Sequence, residues 1–197
     1  HPDASGDFWI SAFIYLNATD ASYRSAITKA DTTTLADWSV SKNNVNQMYF
    51  TVDYDSTDTP ATGVTVTSTV TMSATTWCHV FVYYDYSSGV IGISVNGESF
   101  VTATKARVLG VNSKTLNMGA NANGGFNFWN GKLDSVAFGK PTSGWLASNA
   151  TALRDYLYNS GSGRRSSDFI SSAYYTGGNP SGAVSWWDMD ARSGNET

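Results

Sequence analysis

The chain has one cysteine, four prolines and two histidines in 197 residues, and only 14% of its residues are charged. Each shortage excludes something. Cys78 alone permits no internal disulfide, so stability must come from the core. His79 has no second histidine beyond His1, which leaves a zinc site or a Cys–His nucleophile pair without ligands or partners. Glutamate occurs twice, as Glu98 and Glu196. That is a poor supply for glycoside hydrolysis, which needs two carboxyl groups about 5 to 9 Å apart across the scissile bond. The twelve Lys and Arg residues are scattered and the net charge is -4, so no basic stripe can track phosphates and nucleic acid is not an expected partner. No apolar run approaches the roughly 20 residues that cross a bilayer, and membrane insertion is not expected. No Gly-rich phosphate loop leads into a helix, and no serine elbow is present. The start at His1-Pro2-Asp3 reads as a processed product or a piece of something longer.

What is abundant is Ser, Thr and Asn, with 26, 22 and 15 residues, beside 14% aromatics. That mixture suits many short strands with polar loops and excludes helical bundles. Asp7 to Leu16 alternates Phe8, Ile10, Ala12, Ile14 and Leu16 with Trp9, Phe13 and Tyr15, a strand with both faces at least partly covered. Gln47 to Tyr54 and Gly63 to Met72 show the period of two of half-buried strands, with polar faces toward water. Trp77 to Tyr86 and Val90 to Asn96 form a hairpin through Ser87-Ser88-Gly89. A second hairpin turns at Asn96-Gly97 into Ser99 to Thr102. Short strands follow near Leu116 to Met118 and Lys132 to Phe138. One short surface helix is predicted, capped by Ser148 or Asn149, with Leu153, Tyr156 and Leu157 on one face and closure at Gly161. The fold class is therefore all-β, antiparallel sheets packed as a sandwich.

The C-terminal part divides differently. Residues 162–182 are rich in Gly and Ser and read as a tether or long loop. Residues 183–197 carry a terminal aromatic strand, AVSWWDMD, too apolar to hang in water.

Taken in order, DFWISAFIYL, TWCHVFVYYDYSSGVIGISVNG, LNMGANANGGFNFWNGKLDSVAFGK and ALRDYLYNSG resemble the laminin-G-like, concanavalin A-like lectin-glucanase jelly-roll domains, in the three-element form of bacterial and phage-associated sequences. The resemblance spans most of residues 7–161. It implies a two-sheet antiparallel jelly-roll sandwich over residues 1–161, whose members bind carbohydrate or protein, often with calcium. The Glu-x-Asp-x-Glu strand of the related glucanases is absent. In tandem sequences of this type a segment resembling VSWWDMD opens the unit, whereas here it comes last. The terminal strand then folds back into its own domain, inserts into a neighbouring copy, or begins a next repeat. Its assembly residues are Val184, Trp186, Trp187 and Met189, with one indole on each face.

For calcium, the candidate ligands are Asp53 and Asp55, with Asp58, and Asn121 and Asn123 with Asp134, against ordinary turn chemistry and a loop-stabilising hydrogen bond at Asp134. For carbohydrate, aromatic rings that stack on sugars mark the platform. The foremost candidate is Trp129 beside Asn127 and Asn130, then Tyr54, with Trp38, Tyr174 and Tyr175 also possible. The competing reading of FNFWNG is that its aromatics seal the sandwich. The functional expectation is a non-catalytic module on a cell or virion surface or outside the cell, recognising a glycan or a surface protein through rim loops. The alternative is a structural subunit that assembles with copies of itself by exchanging the terminal strand. A jelly-roll glycoside hydrolase comes third.

Overall fold

The computed structural model describes residues 6–30, 36–52, 63–104, 115–121, 127–176 and 178–188. Among these, eleven strands form: β1 (Phe8–Leu16), β2 (Arg24–Ala30), β3 (Ala36–Lys42), β4 (Gln47–Val52), β5 (Val64–Thr71), β6 (Trp77–Asp85), β7 (Val90–Val95), β8 (Val101–Thr104), β9 (Thr115–Met118), β10 (Gly131–Gly139) and β11 (Ala183–Trp187). Two short helices join them, α1 (Trp145–Tyr158) and α2 (Ser166–Ile170). The strands build two antiparallel sheets, ordered β11-β10-β1-β6-β7-β8 and β5-β4-β3-β2-β9. They pack face to face as a jelly-roll sandwich. None of the helices among the described residues is long and apolar enough to cross a membrane.

The alternation of β1 explains the layering. Phe8, Ile10, Ala12, Ile14 and Leu16 point between the sheets, where they meet Trp38, Val40, Phe50, Val66, Val80, Val82 and Ile93 in one buried cluster. Trp9 points the other way and is just as buried, because α1 lies over that outer face with Leu146, Ala150, Leu153 and Leu157 against Trp9, Phe81, Tyr83 and Ala137. A strand covered on both sides reads as an almost unbroken apolar run, as FWISAFIYL does.

Both hairpins form as their turn residues dictate. Asn96 and Gly97 adopt φ of 52° and 78°, and Glu98 N–H donates to Val95 O at 3.1 Å. Gly89 takes φ 69° in the turn after Asp85, whose carboxylate accepts from the hydroxyls of Ser87 and Ser88 at 2.7 Å each.

The structure departs from the expectations at three places. Strands β2 and β3 had no clear alternation to announce them: two register shifts interrupt their pairing, and the charges of Lys29 and Asp37 are buried together at 3.2 Å. The predicted single helix is longer, starting at Trp145 behind Gly144 at φ 80°, while Asn149 sits inside it with its Nδ2 on Trp145 O. It closes at Asn159 in the left-handed region, ahead of Gly161. Within 162–182, a second helix, α2, buries Phe169 against Trp9 and Trp186. Strand β11 pairs with β10 of the same chain, Ala137 opposite Trp186 and Val136 opposite Trp187.

Candidate functional site

Of the rings expected to stack on sugars, Trp129 and Trp38 lie inside. Trp129 is buried in the sandwich core, and its Nε1 donates to Tyr15 O at 3.1 Å. The ring proposed as a platform thus closes the end of the sandwich, and the neighbouring Phe128 is exposed. Asn127 O accepts from Ser25 N–H at 2.8 Å, and Asn130 O accepts from Asn17 N–H at 3.0 Å, so this stretch clasps the ends of β1 and β2. Trp38 is fully buried between the sheets, in contact with Phe8 and Phe138. Tyr174 is half-buried against Tyr156 and Trp145, and Tyr175 is exposed.

Of the calcium candidates, Asp134 is buried and its Oδ1 accepts from the N–H of the adjacent Ser135 at 2.6 Å. Asn121 forms an isolated bridge. Among the described residues no three His, Cys, Asp or Glu side chains gather as cation ligands. Asp53, Tyr54, Asp55, Asp58, Asn123 and Met189 lie outside the described residues. His79 is buried on the outer face of β6, with Nε2 2.8 Å from Ser11 Oγ and its ring stacked on Tyr158. Cys78 faces the core, and burial pushes its thiol above the usual range. At the C-terminal strand, Trp186 packs on Phe169 in the outer layer and Trp187 on Phe138 on the opposite side. Val184 and Trp187 are exposed.

A different place combines an open concavity with recognition chemistry. Helix α1 covers the outer face of the six-stranded sheet only as far as Tyr158, which stacks on His79. Beyond it the next outward-facing pair, Tyr15 and Trp77, meets ring to ring at 5.3 Å and stays half-buried. The chain leaving α1 turns through Gly161, Ser162 and Gly163 and then runs into Arg164, Arg165 and α2. Together with Trp77 and Asp168, these residues line a cleft of about 460 Å³, within the range of small-ligand sites. The turn needs its glycine: Gly161 takes φ 93°, and Asn159 and Ser160 beside it are also left-handed. Arg164 lies with its guanidinium 4.7 Å from the Tyr156 ring centre, and its Nε donates to Tyr156 O at 3.4 Å. Asp168 Oδ2 accepts from Arg165 N–H at 3.4 Å. The cleft can therefore offer an aromatic wall, guanidinium and hydroxyl donors and one carboxylate acceptor.

Sequence reasoning missed this site. In the sequence Trp77 reads only as the first residue of a strand, and Arg164 and Arg165 fall inside the stretch 162–182 that reads as a tether or long loop. The signal available in the sequence was parity, which puts Trp77 on the outward face of β6 with His79, Phe81 and Tyr83 but does not say which of the four is left uncovered.

The sequence matches a family model described as the concanavalin A-like lectin/glucanases superfamily over residues 1–141. No curated protein sequence matches the chain. Among solved structures, a putative carbohydrate binding protein from Bacteroides ovatus is similar with TM-score 0.62 and 15% identity, covering 95% of this chain and 46% of that one. The CBM40 of the Ruminococcus gnavus IT-sialidase, bound to α2,3-sialyllactose, is similar with TM-score 0.52 and 11% identity, covering 65% of this chain and 71% of that one. Mouse laminin α1 chain domains LG4-5 give TM-score 0.50 and 13% identity, covering 70% and 37%. This chain thus spans less than half the length of the Bacteroides and laminin chains, and at such identities the likeness is one of fold.

Proposed function

The chain belongs to the concanavalin A-like lectin/glucanases superfamily, and from that membership we propose that it is a non-catalytic carbohydrate-binding module whose ligand enters the cleft at Trp77. The observation that carries the reading is the half-buried Trp77 at the wall of a cleft whose other sides are polar. An indole stacks on the apolar face of a sugar while surrounding donors and acceptors engage its hydroxyls. The similar solved structures include domains whose names and ligands are carbohydrate-related, which supports the same substrate class here.

Two features support the absence of catalysis. Among the described residues lining the cleft, Asp168 is the one carboxylate, and glycoside cleavage needs two. Glu98 is engaged in its own turn, with Oε1 accepting from Val95 N–H at 3.3 Å and Oε2 from the Thr69 hydroxyl. A binding module of this kind acts on glycans outside the cell or at a cell or virion surface, and we assign this chain to that setting.

The test is a glycan-array screen followed by titration calorimetry on the best ligand. Trp77→Ala is expected to weaken binding by more than about tenfold, the loss of one stacking contact worth on the order of 1.5 kcal/mol, with the folded near-UV signature retained. Absence of binding across the array, or binding indifferent to Trp77→Ala, overturns the reading.

A further inference from the structure

The cleft carries an electrostatic feature that neutral sugars do not use, and from it we infer the class of carbohydrate: one bearing an anionic group, a carboxylate or a sulfate, held by Arg164 and Arg165 while its ring lies against Trp77. This rests on the binding reading above.

The first argument is charge placement. The chain as a whole is acidic, at -4, yet the described residues of the cleft include two arginines against a single aspartate. Arg165 is exposed and Arg164 half-buried. Two other cations of this molecule are buried within it. Lys42 is fully buried and its Nζ reaches Asp20 Oδ1 at 2.8 Å and Ser22 O at 2.7 Å. Arg154 is buried between α1 and the β7–β8 hairpin, with Nη1 on Ser94 Oγ at 3.0 Å.

The second argument is preorganisation. Arg164 is seated with its guanidinium over the Tyr156 ring and its Nε on Tyr156 O. Among the described residues that is its one hydrogen bond, and guanidinium has five N–H donors. A fork already held against an aromatic ring loses little further freedom on pairing with a planar carboxylate or a sulfate. Tyr156 is itself fixed, its hydroxyl donating to Asp168 O at 3.0 Å and its ring against Phe169 and Tyr174. The third is the pairing of functions: a stacking ring and a donor fork in one cleft of about 460 Å³ match a single sugar ring that carries its charge as a substituent. They do not match a polyanion backbone, which needs a longer basic track.

The experiment compares three oligosaccharide sets of equal length by calorimetry at low salt: oligogalacturonates, the same oligomers with the carboxyl groups reduced, and sulfated galactans. At least one anionic set is expected to bind about tenfold tighter than the neutral one, with affinity falling as salt rises, and the two anionic sets tell carboxylate from sulfate. Arg165→Gln, at an exposed position, and Arg164→Gln should each lower anionic affinity severalfold and lower neutral affinity much less, since only a donor to a hydroxyl is lost there. Arg164→Lys, which keeps the charge but not the fork, should recover only part of the loss. Trp77→Ala should weaken all binding. Equal affinity for neutral and anionic sets, or anionic binding indifferent to both arginine variants, overturns the inference. If neutral sugars nevertheless bind through Trp77, the carbohydrate-binding reading stands without it; if no set binds, the inference falls, and the glycan array decides the carbohydrate-binding reading separately.

Discussion

Gly182 shows how a single residue fixes where the C-terminal segment lies. It has φ of 62°, and a Cβ placed on it would stand 1.9 Å from Lys140 O, a backbone atom that cannot swing aside. Its carbonyl accepts from Lys140 N–H at 2.7 Å, and one residue earlier Ser181 O accepts from the buried Trp9 Nε1 at 2.8 Å. Gly182→Ala must therefore lift the approach to β11 off β10. The expected cost is about 2 kcal/mol or more, read as a fall in Tm of roughly 4 to 8 °C in a calorimetric melt. The tryptophans teach the same lesson about position. Trp129, flanked by asparagines in a polar stretch, is buried in the core with its N–H satisfied, whereas Trp77, at the head of an apolar strand, keeps a partly open face.

Among the elements, β11 and α2 act together. Phe169 of α2 sits between Trp9, Tyr156, Tyr175 and Trp186, so the helix and the terminal strand bury each other's aromatic rings over the outer face. The chain shortened to end at Gly182 loses Trp186 and Trp187 from these contacts and exposes the edge of β10. Its Tm should drop by on the order of 10 °C, and the exposed edge should promote association, while the intact chain stays monomeric by light scattering across a concentration series. A full-length chain that assembles, or a shortened one that melts unchanged, contradicts the pairing of β11 with its own β10. Strands β2 and β3 were illegible for an electrostatic reason. A Lys in a strand marks a solvated face, but Lys29 is fully buried beside Asp37, and bulges on both sides of the pair break the period of two.

Across the whole molecule, the acid limb of stability depends on carboxylates pulled in opposite directions. Asp20 receives hydrogen bonds from Arg24 and Lys42, which hold its carboxyl well below the usual range of 3.8. A folded pKa below the unfolded one stabilises the fold above the unfolded value, and that stability is lost as pH falls through the folded value. Asp7 behaves inversely. Burial, reinforced by Asp85, pushes its carboxyl up despite the N–H bonds it accepts from Tyr86 and Gly144, so protonating it favours the folded chain. Asp20→Asn should therefore be less stable than the parent at about pH 7, with the gap narrowing below about pH 4. Urea melts across that range measure it, and a gap that persists unchanged to about pH 2 would show that the Asp20 pairs contribute nothing.

The sequence by itself determined the all-β class, the two covered faces of β1, both hairpins with their turn residues, and the order of segments that marks the superfamily. These are local facts, set by a two-residue period and by which residues tolerate positive φ. Only the tertiary structure decided which aromatic rings see solvent, that β11 completes its own sheet, and that Trp77 and the 161–168 segment meet. Burial depends on what a distant part of the chain lays over a residue: α1 ends at Tyr158, one outward-facing residue pair short of Tyr15 and Trp77, and no pattern within β6 encodes where a helix some seventy residues later will stop.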